Sequence, residues 1–289
     1  MTELQAFCER LSFPEEYTIA LTGAITRLGE ELSATVSGFL ADPRRSAADA
    51  TAALAASADA LGIHPYTRDA AFVLLAFFCQ KEEFIRECGE EVYYDTAKDL
   101  LWKLRECHTR YGIVGTVSIG WYNILLRRKL LTLGRLQFHT VAYPEDYEGK
   151  HISIKKGDLV IKTHIPSSGK LTPEMCLDSF RRAYRFFRPQ FSSDIIPIYC
   201  ASWMLDPAIA AAVEGGGIAA FASCFTIFKV KDDPKNDDLW RIFGTDPADP
   251  TALPRGNRLQ SALAERLAAG GCMAIGFGMI AHDGEQILR

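Results

Sequence analysis

The chain lacks several features that would assign it to a specialised class. Its eight cysteines include no CxxC pair and no closely spaced set, which argues against a zinc site or a disulfide-stapled secreted fold. The formal net charge of the 289 residues is only −4, so the whole molecule offers no field that would collect nucleic acid or an anionic membrane surface. We expect reduced thiols and no nucleic-acid partner.

Long hydrophobic runs are also missing. The longest, from Ala70 to Cys79, is about half of a membrane span, and the N-terminal stretch MTELQAFCER has no apolar core of signal-peptide length. These features predict a cytoplasmic protein without a membrane segment. Hydrophobic residues nevertheless make up 48% of the chain, which is enough for one large domain or two ordinary ones.

Hydrophobic periodicity changes near residue 130. Before this point apolar residues recur every three to four positions, which is typical of helices. We predict helices over 14–39, 46–61, 67–89, 95–112 and 118–131. After Gly134 apolar residues alternate with polar ones, which predicts strands over 135–143, 151–155 and 158–165.

The remaining segments alternate between helix-like and strand-like patterns. We predict a helix from Thr172, an apolar run over 195–205, a short helix from Pro207, an apolar run over 217–230, a helix over 257–269 and a strand over 272–280. Glycines 215–217 are expected to end a helix before a strand, and the GFG at 276–278 to permit a close backbone approach. The expected fold class is α/β (α+β), with a helical domain over 1–130 and a mixed sheet flanked by helices over 131–289.

The segment VIKTHIPSSGKLTPEMCLDSFRRAYRFF, residues 160–187, carries the first functional signal. A β-branched run leads into a turn of small residues, and Thr172 and Pro173 then suit the N-cap and first position of a helix. Small side chains beside free helix amides favour the binding of a phosphate group. The same features also fit an ordinary turn before a helix.

Local charge supports the phosphate interpretation. Between residues 150 and 190, nine Lys or Arg stand against three acids, whereas residues 232–249 contain six acids and two bases. Opposite local charges suit a polyanionic cofactor and a cationic substrate. The alternative is that the arginines of the helix form only a solvated face.

Four stretches of the sequence resemble a known family. They are LGRLQFHTVAY, THIPSSGKLTPEMCLDSFRRAYRFF, IYCASWMLDPAIAAAV and LPRGNRLQSALAERLAAGG. The chain resembles the bacterial acyltransferases that join a helical N-acyltransferase N-terminal domain to a C-terminal domain like the GCN5-related N-acetyltransferases (GNAT-like). The resemblance spans essentially the whole chain, and its most specific parts are HIP.SG, CASWMLDP and LGRLQF.

The resemblance implies an acyl-CoA-dependent N-acyltransferase. The donor would be acyl-CoA, for example acetyl-CoA, with direct transfer to a small-molecule or peptide amine and no metal. In such folds the pyrophosphate of coenzyme A lies on the loop between a strand and the following helix. The implied donor-binding residues are Ile165, Ser167, Ser168, Gly169, Lys170 and Thr172.

Acyl transfer to an amine needs a deprotonated nucleophile and a proton for the leaving thiolate. His164, at a strand end, is a candidate general base, although a histidine there is also an ordinary hydrogen-bonding partner. Either Tyr199 or Ser202 is a candidate to protonate the thiolate. Cys200 is a candidate nucleophile with His164 as its base, or simply a buried core thiol.

The loop sequence also fits a non-enzymatic alternative. The wider superfamily has two small residues at fixed positions in its loop, whereas this chain has one glycine, and Pro166 removes a backbone donor. These departures are consistent with a binding module that keeps a GNAT-like fold and a degenerate coenzyme A site.

Overall fold

The structure is a computed structural model that describes residues 2–244, 249 and 252–289. The chain divides into two compact units between Thr132 and Leu133. Residues 245–248 belong to the acidic segment predicted above and lie outside the described residues.

The first unit is helical. Its described helices are α1 Glu3–Arg10, α2 Glu15–Ala41, α3 Ala47–Ala52, α4 Ala55–Ala60, α5 Pro65–Cys79, α6 Lys81–Cys88, α7 Glu90–Ala97, α8 Asp99–Tyr111 and α9 Tyr122–Leu125. The predicted stripe of α2 is buried at Leu21, Leu28 and Leu32, which fixes the face it turns to the core. No helix in the described part of the chain is both long and apolar enough to cross a membrane.

Two of the predicted helices are interrupted. The segment 46–61 forms α3 and α4 rather than one helix. The segment 67–89 forms the end of α5 and all of α6. α5 starts earlier than predicted, at Pro65, because His64 accepts a hydrogen bond from the amide of Tyr66 and the proline occupies the first turn. Thr67, the first residue of the predicted helix, lies inside α5 and donates its hydroxyl proton to the carbonyl of Val114.

Two further predicted segments of the first unit are longer than the helices that the structure shows there. The segment 95–112 contains the end of α7 and all of α8, and it ends at Gly112 as expected. The prediction over 118–131 was wrong for its second half, because Arg128 has a φ of 57° and residues 131–133 form a strand.

The second unit contains a mixed sheet. The described strands are β1 Leu131–Leu133, β2 Leu136–Ala142, β3 Tyr147–Glu148, β4 Ser153–Ile154, β5 Leu159–His164, β6 Ile196–Ser202, β7 Thr226–Asp233, β8 Met273–His282 and β9 Ile287–Leu288. The strand order is β1-β2-β5-β6-β8-β7, with β9 on β8 and β3-β4 as a separate pair. The pairs β2–β5, β6–β8 and β7–β8 are antiparallel, while β5–β6 is parallel.

Helices flank this sheet. The described ones are α10 Pro173–Phe187, α11 Pro207–Ala212, α12 Gly217–Ala222, α13 Leu239–Phe243 and α14 Arg258–Ala268. The predicted helix starts at Thr172, Pro207 and Asn257 are confirmed, and Thr172, Asp206 and Asn257 each accept a hydrogen bond from an amide of the helix they precede. α10 links the parallel strands β5 and β6.

The apolar run over 217–230 is not one strand. It forms α12 followed by β7, so glycines 215–217 separate two helices instead of ending a helix before a strand. The predicted close approach at the GFG is confirmed: a Cβ on Gly276 would lie 2.1 Å from the carbonyl oxygen of Leu205, and one on Gly278 would lie 2.7 Å from Cβ of Phe225.

Candidate functional site

The parallel strands β5 and β6 pair over a very short length. Their register contains two residue pairs, Ile161 with Ile198 and Lys162 with Tyr199. Both strands continue beyond these pairs without pairing to each other, while β5 stays paired with β2 and β6 with β8. An opening in the hydrogen-bonded sheet therefore lies at the carboxyl ends of two parallel strands, where ligands of α/β sheets bind.

A row of polar side chains crosses one face of the sheet beside this opening. The register aligns His139 of β2 with Lys162 of β5, and Lys162 with Tyr199 of β6. Because side chains alternate between faces, His164 shares the face of Lys162. The Tyr199 ring packs on Tyr143 with its centroid 5.3 Å away.

Two histidines in this group are in direct contact. Nε2 of His164 lies 3.0 Å from Nε2 of His139, so one ring donates the shared proton and the other accepts it. Burial, the neighbouring His139 and Lys162 lower the pKa of His164 to about 3. Burial and Lys162 lower the pKa of His139 to about 4, so both rings are neutral at physiological pH.

Tyr199 is kept in its protonated form. Burial, followed by Tyr143, Cys200 and Glu145, raises the pKa of its phenol. The phenol therefore carries a proton at neutral pH and lies on the same face as His164. A neutral base and a protonated acid thus occupy adjacent strands at the opening.

Cys200 does not join this pair. It follows Tyr199 by one residue, so it points to the opposite face of the sheet from His164. It is fully buried, and this burial raises the pKa of its thiol to about 12. The expected alternative of a Cys200 nucleophile activated by His164 is therefore not supported by the register.

Ser202 is occupied by a structural hydrogen bond. Its hydroxyl accepts from the amide of Met204, which caps the short 3₁₀ helix Trp203–Leu205. It also lies on the face of Cys200. Of the two candidates for protonating a thiolate, Tyr199 is the one on the face of His164.

The loop between β5 and α10 contains the predicted donor-binding residues. Ser167, Gly169 and Lys170 are exposed, Ile165, Ser168 and Thr172 are half-buried, and Pro166 is buried. Gly169 has a φ of 94°, which is why a glycine occupies this position. The hydroxyl of Thr172 accepts from the amide of Met175 at 3.3 Å, so this residue acts as the helix cap.

Two residues that contact the site were not predicted from the sequence. His139 is one of them, and the alternation of LQFHTVA together with the antiparallel partner strand is the signal that pairs it with His164. Arg135 lies in the LGRLQF motif, and its side chain donates hydrogen bonds to carbonyls of the loop after β5. Among the described residues, no group of three or more His, Cys, Asp or Glu is placed to hold a metal ion.

The fold and the site define a structural class of protein. Its members have a mixed sheet in which a helix connects two parallel strands, and the sheet is open at the carboxyl ends of these strands. The family profile for a GNAT-like C-terminal domain matches residues 130–280, and that for an N-acyltransferase N-terminal domain matches residues 2–127. The chain belongs to the family with these two domains, as the resemblance implied. No curated protein matches the sequence.

Solved structures give the same fold. An acyltransferase in complex with decanoyl-CoA and teicoplanin superposes with a TM-score of 0.72 and 22% identity, over 96% of this chain and 87% of the other. An acyltransferase in complex with CoA and 10C-teicoplanin has a TM-score of 0.71 and 21% identity, over 97% and 88%. At this identity the similarity establishes the fold, so the predicted α/β (α+β) class is confirmed.

Proposed function

We propose that this chain transfers an acyl group from acyl-CoA directly to the amine of a peptide-like acceptor. The observation that carries the proposal is the opening between β5 and β6, with the loop 165–172 and the capped helix α10 directly after β5. Membership of a family named for N-acyltransferases supports it, as do similar solved structures that hold decanoyl-CoA or CoA.

The donor would occupy the loop side of the opening. Its pyrophosphate would meet backbone amides of the loop and the exposed Lys170, while the thioester reaches the gap between the strands. The residues proposed for this contact remain Ile165, Ser167, Ser168, Gly169, Lys170 and Thr172. Lys162 of β5, the strand that leads into this loop, adds positive charge beside the opening. No described carboxylate forms an ion pair with it.

The reaction balances without a cofactor other than the donor. The acceptor amine nitrogen attacks the thioester carbonyl, the C–S bond breaks, and an amide and coenzyme A form. His164 is proposed to pass the proton that the nitrogen loses to solvent, because its low pKa prevents it from keeping that proton. Tyr199 is proposed to give its phenol proton to the departing sulfur and to regain a proton from solvent. Alignment of two bound reactants supplies most of the acceleration, since such alignment is worth about 7–11 kcal/mol.

The acceptor is proposed to be a glycopeptide or another peptide bearing a free amine. Similar structures contain teicoplanin or 10C-teicoplanin, and the decanoyl-CoA and octanoyl-CoA bound in such structures favour an acyl chain longer than acetyl. We place the reaction in the cytoplasm, since all cysteines of the chain are free thiols.

Calorimetric titration with acetyl-, octanoyl- and decanoyl-CoA tests the proposal, followed by mass spectrometry of products formed with an amine-bearing glycopeptide. We expect donor binding and a product heavier by one acyl group. Absence of binding for every donor would refute the enzyme and leave the alternative of a binding module with a degenerate coenzyme A site.

A matched pair of glycine variants separates these two functions. Gly157 has a φ of 97° and, like Gly169, has open space where a Cβ would lie, but it belongs to the turn before β5. Gly169→Asp should weaken donor binding by about tenfold or more through backbone strain and repulsion of phosphate, whereas Gly157→Asp should not. Equal donor affinity in both variants would exclude the loop as the donor site.

A further inference from the structure

The loop between β5 and α10 is held by one guanidinium group. Arg135 donates from Nη1 to the carbonyl of Pro166 at 2.9 Å, from Nη2 to that of Gly169 at 2.9 Å and from Nε to that of Lys170 at 2.8 Å. Its own backbone amide donates to the hydroxyl of Ser179 in α10 at 2.8 Å. Arg135 therefore ties the start of β2 to both the loop and the helix.

These hydrogen bonds determine where the loop amides point. Peptide units are planar and, throughout the described chain, trans, so each N–H is directed opposite to the carbonyl of the preceding residue. With the carbonyls of Gly169 and Lys170 directed at Arg135, the amides of Lys170 and Leu171 are directed away from it. No described group accepts a hydrogen bond from either amide.

Consecutive amides that point the same way form a concave site for an anion. Gly169, with its positive φ, allows the chain to turn so that both carbonyls reach one guanidinium. The shape of the loop therefore depends on Arg135 as well as on its own residues.

The environment of Arg135 indicates that its guanidinium group binds the loop rather than a carboxylate. The side chain is half-buried, and no described carboxylate forms an ion pair with it. In contrast, Arg182 in α10 and Arg188 directly after α10 form ion pairs with Asp178 and Asp194, respectively. Removing a cation from water is costly unless its donors are satisfied, and here three carbonyls accept from three of its five N–H groups. The planar five-donor group suits this arrangement better than a lysine.

We propose that Arg135 is a positioning residue for the donor: it holds the loop so that the amides of Lys170 and Leu171 face the pyrophosphate of acyl-CoA. This inference rests on the proposed function and assigns a role to the LGRLQF motif. Arg135 acts on the donor through the loop and does not itself contact the reacting atoms.

Titration of the full chain with coenzyme A tests the role, with calorimetry for affinity and NMR for the amide shifts of Lys170 and Leu171. Arg135→Gln should raise the Kd for coenzyme A about tenfold or more and reduce both amide shifts, since a misplaced contact loses this much. Arg135→Lys should restore part of the affinity. Under saturating donor the kcat of both variants should approach that of the parent chain.

Arg181→Gln is the matched control. Arg181 lies on the exposed side of α10 and donates to the carbonyl of Glu285, so the variant removes the same charge without touching the loop. Its Kd for coenzyme A should stay within about twofold of the parent value, as screening weakens a distant surface charge. Melting temperatures show that each variant is folded.

The outcomes separate two failures. If the parent chain binds coenzyme A and Arg135→Gln binds it equally well, the positioning role is overturned while the proposed function stands. If Arg135→Gln and Arg181→Gln weaken binding equally, charge alone acts and the positioning role is again overturned. If the parent chain binds neither coenzyme A nor acyl-CoA, the proposed function fails, and with it any role of Arg135 toward the donor.

Discussion

At the residue scale, the contact between His139 and His164 makes the stability of the protein sensitive to acid. Both pKa values are lowered in the folded chain, to about 4 and about 3, so between these values and 6.5 the unfolded chain binds more protons. Stability from the pair is therefore complete above pH 6.5 and falls as the pH decreases toward 4.

The first prediction follows from this linkage. Lowering the pH from 7 to 5.5 should reduce the free energy of unfolding by about 2.5 kcal/mol through these two residues. The double variant His139→Gln/His164→Gln replaces both Nε2 atoms by non-titrating amides and should lose this part of the pH dependence. Urea unfolding at both pH values measures it, and equal pH slopes in parent and variant would contradict the assignment.

The second prediction concerns Cys200. Because its thiol is buried on the face opposite His164, Cys200→Ala should keep kcat/KM within about twofold, with a modest loss of stability from the small cavity. Intact-mass spectrometry after incubation with acyl-CoA should show no acylated protein. A thioester on Cys200, or loss of turnover in the variant, would restore the covalent mechanism.

At the element scale, the 3₁₀ helix Trp203–Leu205 packs directly against the backbone of β8, which lies between β6 and β7. Gly276 pairs with Ser202 of β6 and Val230 of β7, and the carbonyl of Leu205 occupies the place of its missing side chain. A methyl group at this position cannot be accommodated by a side-chain rotation, because the obstructing atoms are backbone.

Gly276→Ala should therefore destabilise the protein by about 3 kcal/mol, since overpacking a buried site costs this much. Gly23→Ala is the control: Gly23 lies inside α2 with open space at its Cβ, and alanine there should stabilise by about 0.5–1 kcal/mol. Thermal unfolding of both variants distinguishes them. A melting temperature of Gly276→Ala at or above the parent value would contradict the close approach.

Some helix starts could be predicted because local sequence determines them. Thr172, Asp206 and Asn257 are N-cap residues, and a proline follows the first two, so local chemistry sets these helix starts and the sequence reveals them. The run 217–230 was misread because alanine, isoleucine and phenylalanine are apolar in both helices and strands. Gly217, the first residue of α12, packs against the carbonyl of Leu171, a tertiary contact that periodicity does not reveal.

Only those site residues that lie at strand ends could be predicted from the sequence. His164, Tyr199 and the loop lie at strand ends, which periodicity locates. His139 and Arg135 contact them from β2 and the residue before it, 25 positions or more away in sequence, and only the antiparallel register brings them together. Strand register depends on tertiary packing and was not available from periodicity.

At the scale of the whole molecule, the basic residues are less available than a count suggests. In the segment 150–190, Lys155, Arg182 and Arg188 form ion pairs and Arg181 donates to a carbonyl. The field near the loop is therefore weaker than the tally of nine bases against three acids implied. We therefore expect donor recognition to depend on oriented amides more than on net charge, as the role proposed for Arg135 requires.

The basic run 127–129 shows the same principle within the first unit. Nη2 of Arg127 donates to the carbonyls of Phe39, Asp42 and Arg45 at 2.9, 2.7 and 3.0 Å, and its guanidinium lies 4.0 Å from the ring centroid of Phe39. Phe39 is near the C-terminal end of α2, where carbonyls lack helical partners and favour a cation. Lys129, two residues later, is exposed.

Arg127→Gln should consequently lower the free energy of unfolding by about 2–3 kcal/mol, because hydrogen bonds from a charged group are lost and carbonyls are left without a donor. Hydrogen exchange should increase over residues 39–45. Lys129→Gln removes the same charge and should change stability by less than about 0.5 kcal/mol, as exposed substitutions do. If thermal unfolding shows equal effects in the two variants, the run acts only through its charge, and the capping of α2 by a residue more than eighty positions away is disproved.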